Sequence, residues 1–323
     1  MTYIAKLILE ISVLTIRKRV SILHARDPYL CGLVMWVASK VTCTPFCVSI
    51  HADYDLAYAI SGKLESPVIW GSRAAAKRLE RFILSHAPMV LPIRTSLAKY
   101  AIRNGARRQS IRIIPHGIDM TPYRLRNLTN YRKLLRFGRK RIICFVGRLS
   151  KYNYTDDVLE IAHRMTQRRD DVVFLLVGDG EEKLNMEARC RQLNLTDVVR
   201  FVGYMPRETI PDIRRMADVN LCLMAGFSLI EGCAAGRPVV SYDVDWHSEL
   251  VRNGETGYLI PEHNVKAAVD AICRLLENPR RSRAMGENAR RLAFEHHSME
   301  KTDEIKVRAY KELLRFQSGP SDK

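Results

Sequence analysis

The sequence predicts an α/β fold with a doubly wound parallel sheet in each half, and three observations carry that reading. Short β-branched runs alternate with amphipathic stretches along the chain. Four of these runs in the second half are followed by glycine-bearing turns, at Gly147-Arg148, Gly178-Asp179-Gly180, Gly203 and Gly226. The segment 226–260 reads as an anion-binding turn, a helix and a buried strand in succession.

In chain order, strands are expected at 21–24, 47–51, 89–92 and 111–115, with helices at 29–40, 72–84 and 95–104. Residues 125–141 mix basic and apolar residues and read as the link to a second domain, with a boundary near Phe137. The second half then gives strands at 142–146, 172–177, 199–202, 219–223, 239–242 and 258–260. Helices fall between them near 155–168, 181–193, 207–216 and 229–235. Val239 to Tyr242 form a short β-branched run of the kind buried in a parallel sheet. Ligands of such sheets bind at the carboxyl ends of the strands, where the glycine turns stand. The helix expected after Gly226 and Ser228 offers unpaired backbone N–H groups and a partial positive charge to a diphosphate, with Glu231 one turn in and able to accept from a sugar hydroxyl. Gly236, Arg237 and Pro238 end it.

The 323 residues, 47% of them hydrophobic, suit two domains that each bury a core. The apolar run 3–16 is interrupted by Lys6 and Glu10 and is too short to span a bilayer, and no small-residue cleavage site follows it. A cytoplasmic protein, peripheral on the inner face of a membrane, is the expectation. The eight cysteines sit mostly inside apolar runs and read as core residues, and no metal site is expected. The net charge of +17 is unevenly placed: residues 1–140 carry 24 Lys and Arg against 7 Asp and Glu, and the remainder 28 of each. Arg17, Lys18 and Arg19 beside the apolar run, with Arg103, Arg107 and Arg108, suggest a face for an anionic membrane surface or acidic acceptor. Solubilising surface charge is the plainer alternative. Nucleic acid is disfavoured because aromatics are not interleaved with the basic segments.

Five motifs in order, Ile114-Pro115-His116-Gly117-Ile118-Asp119, Phe145-Val146-Gly147-Arg148-Leu149, Leu176-Val177-Gly178-Asp179-Gly180-Glu181, Phe201-Val202-Gly203, and Ser228-Leu229-Ile230-Glu231 through Gly236-Arg237-Pro238-Val239-Val240, give the chain a family likeness. It resembles the GT-B glycosyltransferases of the group 1 type, also called family 4, tightly over 111–300 and loosely before. The resemblance implies two Rossmann-like domains facing across a cleft: an acceptor domain at 1–136, a donor domain at 137–297 and a closing helix and tail at 298–323. It implies a nucleotide-sugar donor as substrate, UDP- or GDP-linked, with no cofactor or metal required. It also implies a glycan or lipid-linked acceptor and retention of configuration.

Carried over residue by residue, Arg148 would stabilise the negative charge on the leaving diphosphate. Gly147, Gly178, Gly180 and Gly203 would line the donor, the Phe227, Ser228 and Leu229 amides would hold its phosphates, and Glu231 its ribose. A surface salt bridge is the alternative for Arg148, and a carboxylate answering the helix dipole for Glu231. His51 resembles the family histidine that faces the transferred sugar. Asp53 and Asp55 either orient an acceptor hydroxyl or start the next helix, and the cap is favoured. His24 and His116 read as structural, and His247 has no assigned role.

Three departures stand out. The family's second glutamate, seven residues intervening before Glu231, is replaced by Leu223. Its lysine five or six residues after the arginine is replaced by Asn153 and Tyr154, which leaves Lys151 as the nearest candidate. The family's opening strand and glycine-rich turn are not matched, so the acceptor domain is expected to be shortened, pointing to a fragment, a late start codon or a degenerate protein. The alternatives to an enzyme of sugar transfer are a non-catalytic nucleotide-sugar-binding protein and a nucleotide-sugar epimerase relative.

Overall fold

A computed structural model describes residues 2–62, 71–125, 129–224 and 226–317. The chain forms two compact units, one of Met1–His116 with Glu300–Lys323 and one of Gly117–Met299.

The first unit holds a parallel sheet of order β1-β2-β3, made of Leu23–Ala25 (β1), Phe46–Ile50 (β2) and Met89–Pro92 (β3). Its helices are Thr2–Arg17 (α1), Leu30–Thr42 (α2), Tyr54–Ser61 (α3), Arg73–His86 (α4) and Thr95–Arg103 (α5). Strand alternation divides β2 between two cores. Phe46, Val48 and Ile50 join Leu23, Ile83, Leu84 and Leu97 on one face, while Cys47 meets Met89, Leu91, Ala309 and Leu313 on the other. The last two belong to the terminal helix Met299–Gln317, which is fastened by an ion pair between Arg112 and Glu312 and by Tyr310 hydroxyl 2.8 Å from His24 Nδ1. Residues 111–115 make no full strand: a single bridge joins Ile111 to Val90, and Arg112 and Ile114 donate to the Val90 and Pro92 carbonyls. Pro92 and Pro115 lack the N–H groups that would extend the ladder.

The second unit carries a parallel sheet of order β6-β5-β4-β7-β8-β9. Its strands are Arg141–Val146 (β4), Val172–Val177 (β5), Val199–Gly203 (β6), Val219–Leu221 (β7), Val239–Tyr242 (β8) and Gly257–Ile260 (β9). Helices Thr155–Thr166 (α6), Lys183–Gln192 (α7), Ile210–Met216 (α8), Gly226–Ala234 (α9), Val265–Glu277 (α10) and Pro279–His297 (α11) cover it. On β4, Ile143 and Phe145 face one core and Ile142 and Cys144 the other, so helices pack on both sides.

The expected boundary near Phe137 differs from the division between His116 and Gly117. Ile118, Met120 and Tyr123 bury against Leu229, Ile230 and Trp246 in a core of the second unit, which draws the chain in earlier. Residues 126–128 of the expected link lie outside the described residues. Six of the eight cysteines are buried and all eight are free thiols. No described helix is long and apolar enough to cross a membrane.

Candidate functional site

The sheet order places a switch point between β4 and β7: from β4 the chain winds outward through β5 and β6, and from β7 it winds the other way through β8 and β9. The crevice beyond the carboxyl ends of such neighbouring strands is where doubly wound sheets take ligands. Two of the expected elements meet there. β4 runs out into Gly147 and Arg148, and β7 runs toward the first turn of α9. Ser228 joins them directly, its Oγ donating to the Val146 carbonyl at 2.5 Å. The first-turn N–H groups of α9, from Gly226 to Leu229, have no carbonyl one turn back within the helix and lie at its positive end. Leu229 buries its side chain completely, so only its backbone faces the crevice side, whereas the Phe227 ring is half exposed.

The glycine turns are laced to one another. Gly147 N–H donates to Val177 carbonyl at 3.0 Å, Gly178 N–H to Gly203 carbonyl at 2.8 Å and Leu149 N–H to Asp179 carbonyl at 3.0 Å. A methyl group at Gly178 would overlap the Gly147 carbonyl oxygen, and one at Gly180 the Leu149 carbonyl. Gly178 also sits at φ +135°. These two glycines therefore let neighbouring backbone turns close on each other; at Gly203, by contrast, added bulk would meet open space.

Arg148 stands out from this rim, with Nε donating to Glu181 Oε2 at 2.9 Å and its side chain 72% exposed. It is thus in the surface ion pair that was the alternative to its catalytic reading. Lys151 begins a 3-10 turn and is exposed. The two positions where the family carries a lysine hold structural side chains. Asn153 Nδ2 donates to the Arg148 carbonyl at 2.7 Å, and Tyr154, at φ +55°, packs edge-on against Tyr242 and His263. Leu223 is fully buried in the core, so no acidic side chain stands where the second glutamate was expected.

Sequence reasoning missed the residue beneath the site. Arg214, on α8, has no exposed side-chain surface. Its Nη2 donates to Ser228 Oγ at 2.6 Å and lies 3.6 Å from Glu231 Oε2, a carboxylate that retains 18% exposure. Position 232 beside it is glycine: a Cβ there would crowd Cys222 Sγ at 2.9 Å and touch Arg214 Nη1 at 3.5 Å. Arg214, Ser228 and Val146 thus form a chain from α8 through α9 to the end of β4, with Glu231 held beside it. A double arginine in an amphipathic stretch gives no signal of this, since only the tertiary contacts of Arg214 with Ser228, Glu231 and Cys222 distinguish it from Arg215.

In the first unit His51 follows β2 and stacks on His116, with ring centroids 5.9 Å apart. Burial, and then the charge of Arg26, holds the His51 imidazole below its ordinary value. His24 Nε2 lies 2.6 Å from Ser49 Oγ, and burial likewise lowers it, with Lys306 and His51 adding repulsion. Asp53 caps α3, its Oδ1 accepting the Asp55 and Leu56 N–H groups, and Asp55 is engaged by Arg73 and Lys77. His247 is fully buried, with Nδ1 2.8 Å from Ser241 Oγ. Among the described residues no group of three or more His, Cys, Asp or Glu is placed to hold a metal ion.

Residues 128–292 match the family of glycosyl transferases group 1, and residues 3–121 match glycosyltransferase family 4. The chain is 25% identical over 252 residues to the N-acetyl-alpha-D-glucosaminyl L-malate synthase of Bacillus anthracis, covering 76% of this chain and 65% of that protein. It is 27% identical over 176 residues to the alpha-D-kanosaminyltransferase of Streptomyces kanamyceticus, covering 53% and 46%. It thus spans about half to two thirds of the length of these curated relatives. Anabaena HepE, solved in complex with UDP, superposes with a TM-score of 0.77 at 18% identity, covering 96% of this chain and 82% of that one, a likeness of fold. With its second unit matched nearly end to end and its strand-end turns in the family's order, the chain belongs to the group 1 glycosyl transferases.

Proposed function

We propose that the chain transfers a sugar, with retention of configuration, from a nucleotide-sugar donor to a hydroxyl of a glycan or lipid-linked acceptor. The observation that carries this reading is the amino end of α9 at the β4/β7 switch point, tied to β4 by Ser228 and flanked by Glu231. The first-turn amides receive the diphosphate, Glu231 accepts from the ribose, and Arg148, swinging from Glu181 onto the phosphates, offsets the charge that grows as the glycosidic bond breaks. Lys151 is the second cation available to that charge. His51, kept neutral by its surroundings, presents a hydrogen-bonding nitrogen to the transferred sugar. The second unit serves the donor and the first the acceptor. UDP is the preferred nucleotide, since a fold neighbour binds it.

α1 supports peripheral membrane attachment. Leu9, Val13 and Ile16 line one exposed strip, beside Lys6 and Arg17, and Lys18 and Arg19 follow. Such a helix lies in an anionic interface with its apolar strip inward.

A thermal-shift series with UDP, GDP and ADP and their sugar conjugates tests the donor site. A shift with one base series that Glu231→Ala removes is expected; equal shifts in both proteins would overturn the assignment. The second reading, donor binding without turnover, is favoured by Leu223 and by the Arg148–Glu181 pair. Single-turnover release of nucleotide in the presence of acceptor decides between the two.

A further inference from the structure

The second unit has another concave surface, at the opposite rim from the switch-point crevice. α9 ends there at Ala234, and Ala235, Gly236 and Arg237 lead toward β8. The cavity, about 840 Å³, is lined by Tyr123, Leu125, the end of α9 and five arginines, Arg124, Arg215, Arg237, Arg283 and Arg290, against one carboxylate, Glu287.

Arg215 and Arg237 already have structural work. Arg215 is paired with Asp212 at 2.8 Å and donates to the Pro122 carbonyl at 2.6 Å, while Arg237 Nε donates to the Arg215 carbonyl at 2.6 Å, closing the end of α8. Arg283 and Arg290 have no such work. They project from α11 two turns apart with Glu287 between them, and among the described residues neither forms an ion pair. The Arg290 guanidinium lies over the Phe294 ring at 4.9 Å and Arg124 over the same ring at 5.6 Å, which fixes two planar cations at one wall. Burial, with the charges of Arg283 and Arg132 set against those of Asp218 and Glu287, makes positive charge harder to hold at Arg237. Positive charge is therefore concentrated where the wall is concave and partly dry, and a counter-anion relieves it.

We propose that this cavity is a second anion site, taking a phosphoryl group between Arg237, Arg283 and Arg290, either on a small phosphate ester or on a lipid headgroup. Arginine forks match phosphate oxygens two at a time, and the volume exceeds what a bare phosphate fills. The assignment does not depend on how the donor site is used.

Inorganic pyrophosphate is the probe, titrated calorimetrically into the full chain. Binding that weakens about tenfold in each of Arg283→Gln and Arg290→Gln is expected. Binding unchanged in both variants overturns the proposal. Thermal unfolding of each variant checks that it folds, and Arg283→Lys with Arg290→Lys, which keeps charge but loses the forks, is the substitute if either fails: weaker binding supports the site and unchanged binding overturns it. Sedimentation with vesicles of phosphatidylcholine and phosphatidylglycerol in equal parts then separates the sources. Loss of pelleting in the same variants, and its competition by pyrophosphate, assigns a headgroup; pelleting that ignores both, with pyrophosphate binding intact, assigns a soluble phosphate ester.

Discussion

Arg214 is fully buried, and among the described residues the only carboxylate within ion-pair distance of it is that of Glu231. Removing one member of a buried pair strands the other, whereas replacing both members with apolar chains of similar size is close to neutral. Glu231→Leu should therefore destabilise the protein by about 3 kcal/mol, and the Arg214→Met, Glu231→Leu double variant by less than that; urea unfolding of the two measures both, and a double variant destabilised by the sum of its two single changes would show that the pair is not a unit. For the same reason the ligand-induced shift, and not the melting temperature itself, is what the Glu231→Ala nucleotide test must read. The histidines of the first unit give a pH dependence. His24 and His51 are both lowered from the ordinary 6.5 by burial, so the unfolded chain takes up protons first. Their contribution is present above pH 6.5 and is lost as pH falls through their folded values. Stability should fall below pH 6.5, and the slope should flatten in a His24→Asn, His51→Asn double variant; parallel curves would remove the assignment.

Among the elements, α9 was the most legible. Its glycine start, its Gly-Arg-Pro stop and the apolar strand behind it are all local signals, and the helix begins at Gly226 and is followed by Gly236 at φ +73°. The interior strands were legible for the same reason, because a strand buried on both faces admits few polar residues. The strand expected at 111–115 failed where two prolines interrupt the pairing, and the reason for Gly232 could not be read at all, since it depends on Cys222 and Arg214 from other elements. That last point is testable. Gly232→Ala gains about 1 kcal/mol of helix propensity but drives a methyl against a buried sulfur. A net loss of stability, partly restored by Cys222→Ala, is the expected double-mutant cycle; a stabilised single variant would show that the packing yields. Gly178→Ala has no such escape, because both its φ and the Gly147 carbonyl oppose it, and a loss of about 3 kcal/mol or more in denaturant unfolding is expected.

At the scale of the whole molecule, charge and connectivity were unequally readable. The basic excess of residues 1–140 is visible by counting, and it predicts that binding to anionic vesicles weakens steeply with added salt and with Leu9→Glu; salt-independent binding would leave only a role in solubility. The docking of the terminal helix was not readable, because its contacts join residues some 200 positions apart, Arg112 to Glu312. Leu313→Ala should lower stability by about 2 to 4 kcal/mol, with hydrogen exchange rising around Cys47, Met89 and Leu91 before the second unit is affected.

That helix also sets an order of events during synthesis. The first unit's sheet leaves the ribosome early, but the helix that covers the Cys47, Met89 and Leu91 face is translated only after the whole of the second unit. The later-made domain can therefore complete its core while the earlier one still has an uncovered apolar face. That face is covered only when the last helix has been made.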